Sequence, residues 1–93
     1  MRKEGIFIDV WVVSSFNAYG VSHYTNLHTD FDKASADFNE VINDAMKFAV
    51  EEIRDFRVSK NLCSLTICDA EDERTVIVCE ISKQTIQYGF VCI

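Results

Sequence analysis

The sequence predicts an α+β domain in which one long amphipathic helix packs on a mainly antiparallel sheet, in the order β-β-α-β-β-β. Three observations predict it. Apolar residues alternate with a period of two near the start of the chain, recur at helical spacing through its middle, and alternate again in its last third.

From Gly5 the run Ile6, Phe7, Ile8, Asp9, Val10, Trp11, Val12, Val13 reads as a strand. Ile6, Ile8, Val10 and Val12 share one face; Phe7, Asp9, Trp11 and Val13 share the other. Ser14 to Ala18 supply a turn-prone interruption before a weaker strand from Tyr19 to Leu27. Helix initiation follows, with Thr29 and Asp30 as competing N-caps. Phe31, Ala34, Phe38, Val41, Ala45, Phe48, Ala49, Ile53 and Phe56 then form a drifting apolar stripe, widened by Ile42 and Met46. Roughly 25 residues of helix would span roughly 38 Å. Ser59, Lys60 and Asn61 read as the exit. Leu62 to Cys68 and Arg74 to Ile81 read as two strands joined by an acidic loop, and Ser82, Lys83 and Gln84 as a turn into a last strand, Thr85 to Ile93. Five strands around one helix result.

The chain has 93 residues, which fits a single compact domain over 1–93 with no linker or internal repeat. Hydrophobic residues make up 48% and Pro is absent, which argues against a disordered segment. No apolar stretch approaches the roughly 18 residues of a membrane span. Asp9 interrupts the apolar start that a signal peptide would need. The expectation is a soluble, cytoplasmic protein without membrane association.

A formal charge of −6 disfavours direct nucleic-acid binding, which rests on basic side chains that neutralise phosphates. Cys63, Cys68, Cys79 and Cys92 lack the paired spacing of a zinc module and are read as buried free thiols. His23 and His28, near Asp30 and Asp32, form no recognisable metal or acid–base constellation, and structural roles are expected for them. There is no phosphate loop, nucleophile elbow or nucleotide fingerprint. No cofactor, metal or catalytic residue is therefore assigned, and the chain is not expected to be an enzyme.

The expected function is protein binding, as an accessory regulator or inhibitor. Phe7, Trp11 and Val13 on one strand face, with Tyr24 beyond the first turn, are the candidate interface residues, because aromatic side chains supply large contact areas. A narrower reading is mimicry of nucleic acid by Asp69, Glu71, Asp72 and Glu73, presented to a basic groove. A third is a small enzyme whose site is assembled only by folding. Homodimerisation is also expected, since one helix covers only one face of a sheet whose strands carry apolar residues on both.

Overall fold

The computed structural model describes the backbone of residues 3–92 and the side chains of residues 5–87. One helix packs on a five-stranded antiparallel sheet, with strand order β2-β1-β5-β4-β3. In chain order these are β1 (Lys3–Asn17), β2 (Ser22–His28), α1 (Phe31–Phe48), β3 (Phe56–Lys60), β4 (Ser64–Asp69) and β5 (Thr75–Cys92). A π-helical turn, Ala49–Ile53, closes α1.

The β-β-α-β-β-β order matches the expectation, but two strands arise from different residues. The stretch read as the helix end and its exit holds β3. Helical geometry stops at Arg54, whose φ of 70° lies in the left-handed region, and Phe56 and Val58 then alternate as strand residues, Val58 lying opposite Ile67. Ile53 and Phe56 fit a helical period; Phe56 and Val58 fit a strand period equally well. Conversely, Ser82, Lys83 and Gln84 make no turn. They continue β5, opposite Val12, Trp11 and Val10, so the two expected final strands are one. The first turn also falls later: Ser14–Asn17 belong to β1, and the chain reverses over residues 18–21.

Asp30 is the N-cap of α1, its carboxylate accepting the Asp32 backbone N–H at 2.8 Å. Ala34, Phe38, Ile42, Ala45 and Ala49 point inward. Three of these are alanines, which lets the helix axis approach the sheet closely. Beneath them lie Val13, Leu65, Ile67, Ile77 and Cys79, all essentially inaccessible to water. Each large aliphatic side chain buried this way contributes about 1.5–3 kcal/mol. The core therefore sits under the helix, across β1, β5 and β4.

The sheet is not evenly built along its length. β2 pairs with β1 only over Trp11–Asn17, and β4 pairs with β5 only over Thr75–Glu80 with a bulge near Cys68. β1 and β5 stay paired with each other from Lys3/Cys92 to Asn17/Ile77. Lys3–Val10 and Gln84–Cys92 thus form a two-stranded arm that leaves the body. At about 3.4 Å per residue, the 18 residues of β5 account for nearly the whole 62 Å long axis. The radius of gyration is 17.3 Å, against about 12 Å for a compact chain of this length.

Candidate functional site

The arm begins where the helix ends its cover. Phe31, the first residue of α1, meets Trp11 edge to face with ring centroids 5.9 Å apart. This contact marks the last row of β1 under the helix. Strand alternation carries the same front face outward through Asp9 and Phe7, opposite Thr85 and Gln87. Thr85 Oγ1 donates to the Asp9 carboxylate at 2.7 Å, and the Lys83 ammonium lies 3.4 Å from it and 5.9 Å from the Trp11 ring centroid. The Thr85 hydrogen bond and the Lys83 charge hold the Asp9 carboxyl below the usual carboxylate range. Beyond this polar group Phe7 is 62% exposed. A Cβ on Gly5 would lie 2.7 Å from a Phe7 ring carbon, so the ring lies across the glycine and leaves its other face to solvent.

The back face, turned away from the helix, carries a different chemistry. Ile8 pairs with Ile86 and Val12 with Leu27. Ile6 and the buried Val10 share this face, on which Leu27 is 58% and Ile86 41% exposed, and the exposed Ser82 and Gln84 of β5 lie among them. Further along the body the next row is polar, with Ser14 between Thr25 and Glu80 and Ser64 beyond on β4, and the row after it carries Phe16, 44% exposed, beside Val78.

A second polar constellation joins β2 to the helix. Tyr24, Asn26 and His28 alternate onto the helix-facing side of β2 and converge on Asp37. The Tyr24 hydroxyl donates to Asp37 at 2.8 Å, the Asn26 amide at 3.3 Å, and His28 Nε2 at 2.7 Å. The short His28 contact requires the proton on Nε2, so the ring donates whether neutral or charged. Burial pushes the Asp37 carboxyl up, but the bonds from His28, Tyr24 and Asn26 outweigh it and leave it below the ordinary value. The same bond pushes the Tyr24 phenol up. Beside the cluster a cavity of about 370 Å³ opens between Ser15, Tyr24, Asp37, Glu40, Asp44 and Phe48. With three donors on one carboxylate, Asp37 works as a tether between edge strand and helix. Sequence reasoning placed His28 at the helix cap and did not reach Asp37. The available signal was the polar period-two run on the strand face that meets the helix.

The proposed interface residues separate. Phe7 stands exposed on the arm. Trp11 is half-buried against Phe31, and Val13 lies wholly inside the core and has no surface to offer a partner. Tyr24 keeps part of its ring exposed while its hydroxyl is committed to Asp37. The two histidines face opposite sides of β2, since His23 pairs with Phe16 on the back.

In the acidic loop, Asp69 accepts the Tyr19 hydroxyl at 2.6 Å and the Glu71 backbone N–H at 2.9 Å. These bonds, the Tyr19 contact foremost, lower the Asp69 carboxyl. Asp72 caps the Arg74 N–H and lies 3.8 Å from its guanidinium, while Glu73 meets Arg57 at 3.1 Å. Much of the loop's charge is thus spent within its own turn and on neighbouring arginines.

Among the cysteines, Cys79 alone is buried of those described; Cys63 is exposed and Cys68 intermediate, and all three are free thiols. The reading of the cysteines as buried is corrected for Cys63, which the β3–β4 turn lifts to the surface, and for Cys68, which is only partly covered where β4 meets the bulge. Cys92 and the alternation expected at Tyr88 and Phe90 lie outside the described side chains. No group of three or more His, Cys, Asp or Glu placed to hold a metal occurs among the described residues. No described helix is long and apolar enough to cross a membrane. No family model matches the sequence, and neither a curated protein nor a solved structure is significantly similar to it.

Proposed function

We propose that the chain is a small protein-interaction module, an accessory regulator or inhibitor, that meets its partner with the front of the β1–β5 arm. The observation that carries this reading is the arm itself. A two-stranded ribbon is marginally stable in water at best, yet this one runs beyond every other strand with an unpaired edge along Lys3–Val10 and with the Phe7 ring exposed on its front. Exposed strand edges are templates for added strands, and an exposed aromatic beside them supplies an anchor.

Site-specific photocrosslinking in cells tests this reading. A photoreactive phenylalanine at position 7 should give adducts with a discrete second polypeptide. The same group at Val50, exposed on the π turn, serves as the control. Equal, diffuse labelling from the two positions would refute the arm as a binding element.

A further inference from the structure

We infer that the free edge of the arm takes the same edge of a second copy of this chain, β1 adding antiparallel to β1 about a twofold axis at Ile6 and joining two sheets into one. The pairing fills the strand edge and leaves the front of the arm open, so it does not depend on the partner reading above.

The edge decides the kind of occupant. β2 lies along β1 only over Trp11–Asn17, while β5 takes the other side throughout. In an antiparallel ladder successive residues direct their N–H and C=O groups to alternate sides. Every second residue of Lys3–Val10 therefore presents both groups to an edge that no described residue fills, and such a row is a template for an extended backbone. The usual guards of an edge are missing. The stretch has no proline, its register shift falls on the β5 side, where Tyr88 is skipped between Gly89 and Gln87, and Asp9 is held back toward β5 by Thr85 and Lys83.

Charge and shape then select this chain's own strand. Two copies of β1 related by a twofold axis keep their fronts on one side of the joined sheet, so odd positions must face odd and even face even. Centred on Ile6, position 3, a lysine, falls opposite Asp9, Gly5 opposite Phe7 and Ile6 opposite itself, with Glu4 against Ile8. Opposite charges directly across two strands attract, and diagonal neighbours are within reach of aromatic side chains. Each glycine leaves room for the ring facing it, so the two exposed Phe7 side chains approach one another across the axis. Centred on Phe7, the pairing would set Lys3 against Trp11, whose edge His28 already holds. Centred on Gly5, it would set glycine against glycine and carry Asp9 past the start of β1. The stretch that is complementary to itself thus coincides with the stretch whose edge is free.

Sedimentation equilibrium from micromolar to millimolar chain, together with cysteine trapping, tests the inference. The expected mass is twice 10.7 kDa at the upper concentrations. Lys3→Asp sets carboxylate against carboxylate at both ends of the pairing and should weaken dimerisation roughly fivefold or more. Lys47→Asp, the same change in net charge at an exposed position of α1, should leave the dimer intact. With Cys63, Cys68 and Cys92 replaced by Ser, Ile6→Cys should yield a disulfide-linked dimer on mild oxidation because position 6 faces itself, whereas Ile8→Cys should not. A monomer throughout would overturn the inference, as would a dimer indifferent to Lys3→Asp, equally weakened by Lys47→Asp, or trapped as readily at position 8 as at position 6. The partner reading is scored separately: a position 7 crosslink of twice the chain mass reports the second copy, and one of any other mass reports the partner.

Discussion

Replacing Asp37 with Ala tests whether the β2 edge strand is held to the helix by one carboxylate. β2 pairs on one side only and its residues are exposed except at His28, so little apolar burial fastens it. Asp37 receives donors from Tyr24, Asn26 and His28, with the side chains of His28 and Asp37 only 18% and 14% accessible. A net hydrogen bond to a charged acceptor contributes about 1.5–3 kcal/mol, and a mostly buried donor left unmet costs about 1–3 kcal/mol. Tyr24 and Asn26 are exposed and recover water, so the loss falls mainly on His28. We expect Asp37→Ala to cost about 2 kcal/mol, which for a domain of this size lowers Tm by about 10 °C. Tyr24→Phe should cost no more than about 1 kcal/mol, and less again in the Asp37→Ala background. The pH dependence has a definite sign. Because the folded-state carboxyl is held below its ordinary value, its contribution is complete above about pH 4 and vanishes as pH falls through the lower folded value. Thermal melts of wild type and Asp37→Ala should therefore differ by a constant amount near neutrality and converge in acid. A difference below about 0.5 kcal/mol at neutral pH, on the scale of an ordinary surface substitution, would refute the tether.

Leu65→Ala removes a side chain with 1% exposure from beneath the helix and should cost about 3 kcal/mol by chemical denaturation. Asp30→Ala removes the acceptor for the Asp32 N–H and should cost about 1 kcal/mol, with Asp30→Asn nearly neutral. In a Cys92→Ser background, a thiol reagent should label Cys63 promptly, whereas Cys79, which is buried and whose thiol burial pushes up, should label only in denaturant.

The fold class was legible because period and length agree in the elements that carry the core. Ala34, Phe38, Ile42 and Ala45 keep helical spacing for about three turns, and Leu65 and Ile67 alternate under them. The errors lie where two periods fit the same residues or where polarity has a tertiary cause. Ile53 and Phe56 continue the helical stripe in spacing, but the chain turns at Arg54, a residue with no intrinsic preference for the left-handed region. Ser82, Lys83 and Gln84 look like a turn because they are polar. They are polar because that row of β5 has solvent on its back face and Asp9 and the Trp11 ring beside Lys83 on its front. Of the interface candidates, Phe7 and Val13 share one strand face and were inseparable by alternation. What divides them is where the helix begins, and only the contact between Phe31 and Trp11 fixes that.

That same contact explains how a marginal ribbon can present a defined surface. Trp11 is wedged by Phe31 on the helix side, and Lys83 spans from the Trp11 ring to Asp9, which also holds Thr85. The last front row of the body and the first of the arm are thereby cross-linked before the ribbon continues alone. For a partner of the kind proposed above, the base of the arm would already be aimed, and less rotamer and backbone freedom would remain to be lost on binding. Among the described residues the back face shows no such staple. Its described cross-strand pairs include Ile8 with Ile86 and Val12 with Leu27, with the polar Ser82 and Gln84 on the same face. The two faces of one ribbon thus differ in kind: a front tied by polar contacts at its base, and a back on which Ile86, Gln84 and Ser82 mix aliphatic with polar side chains along β5.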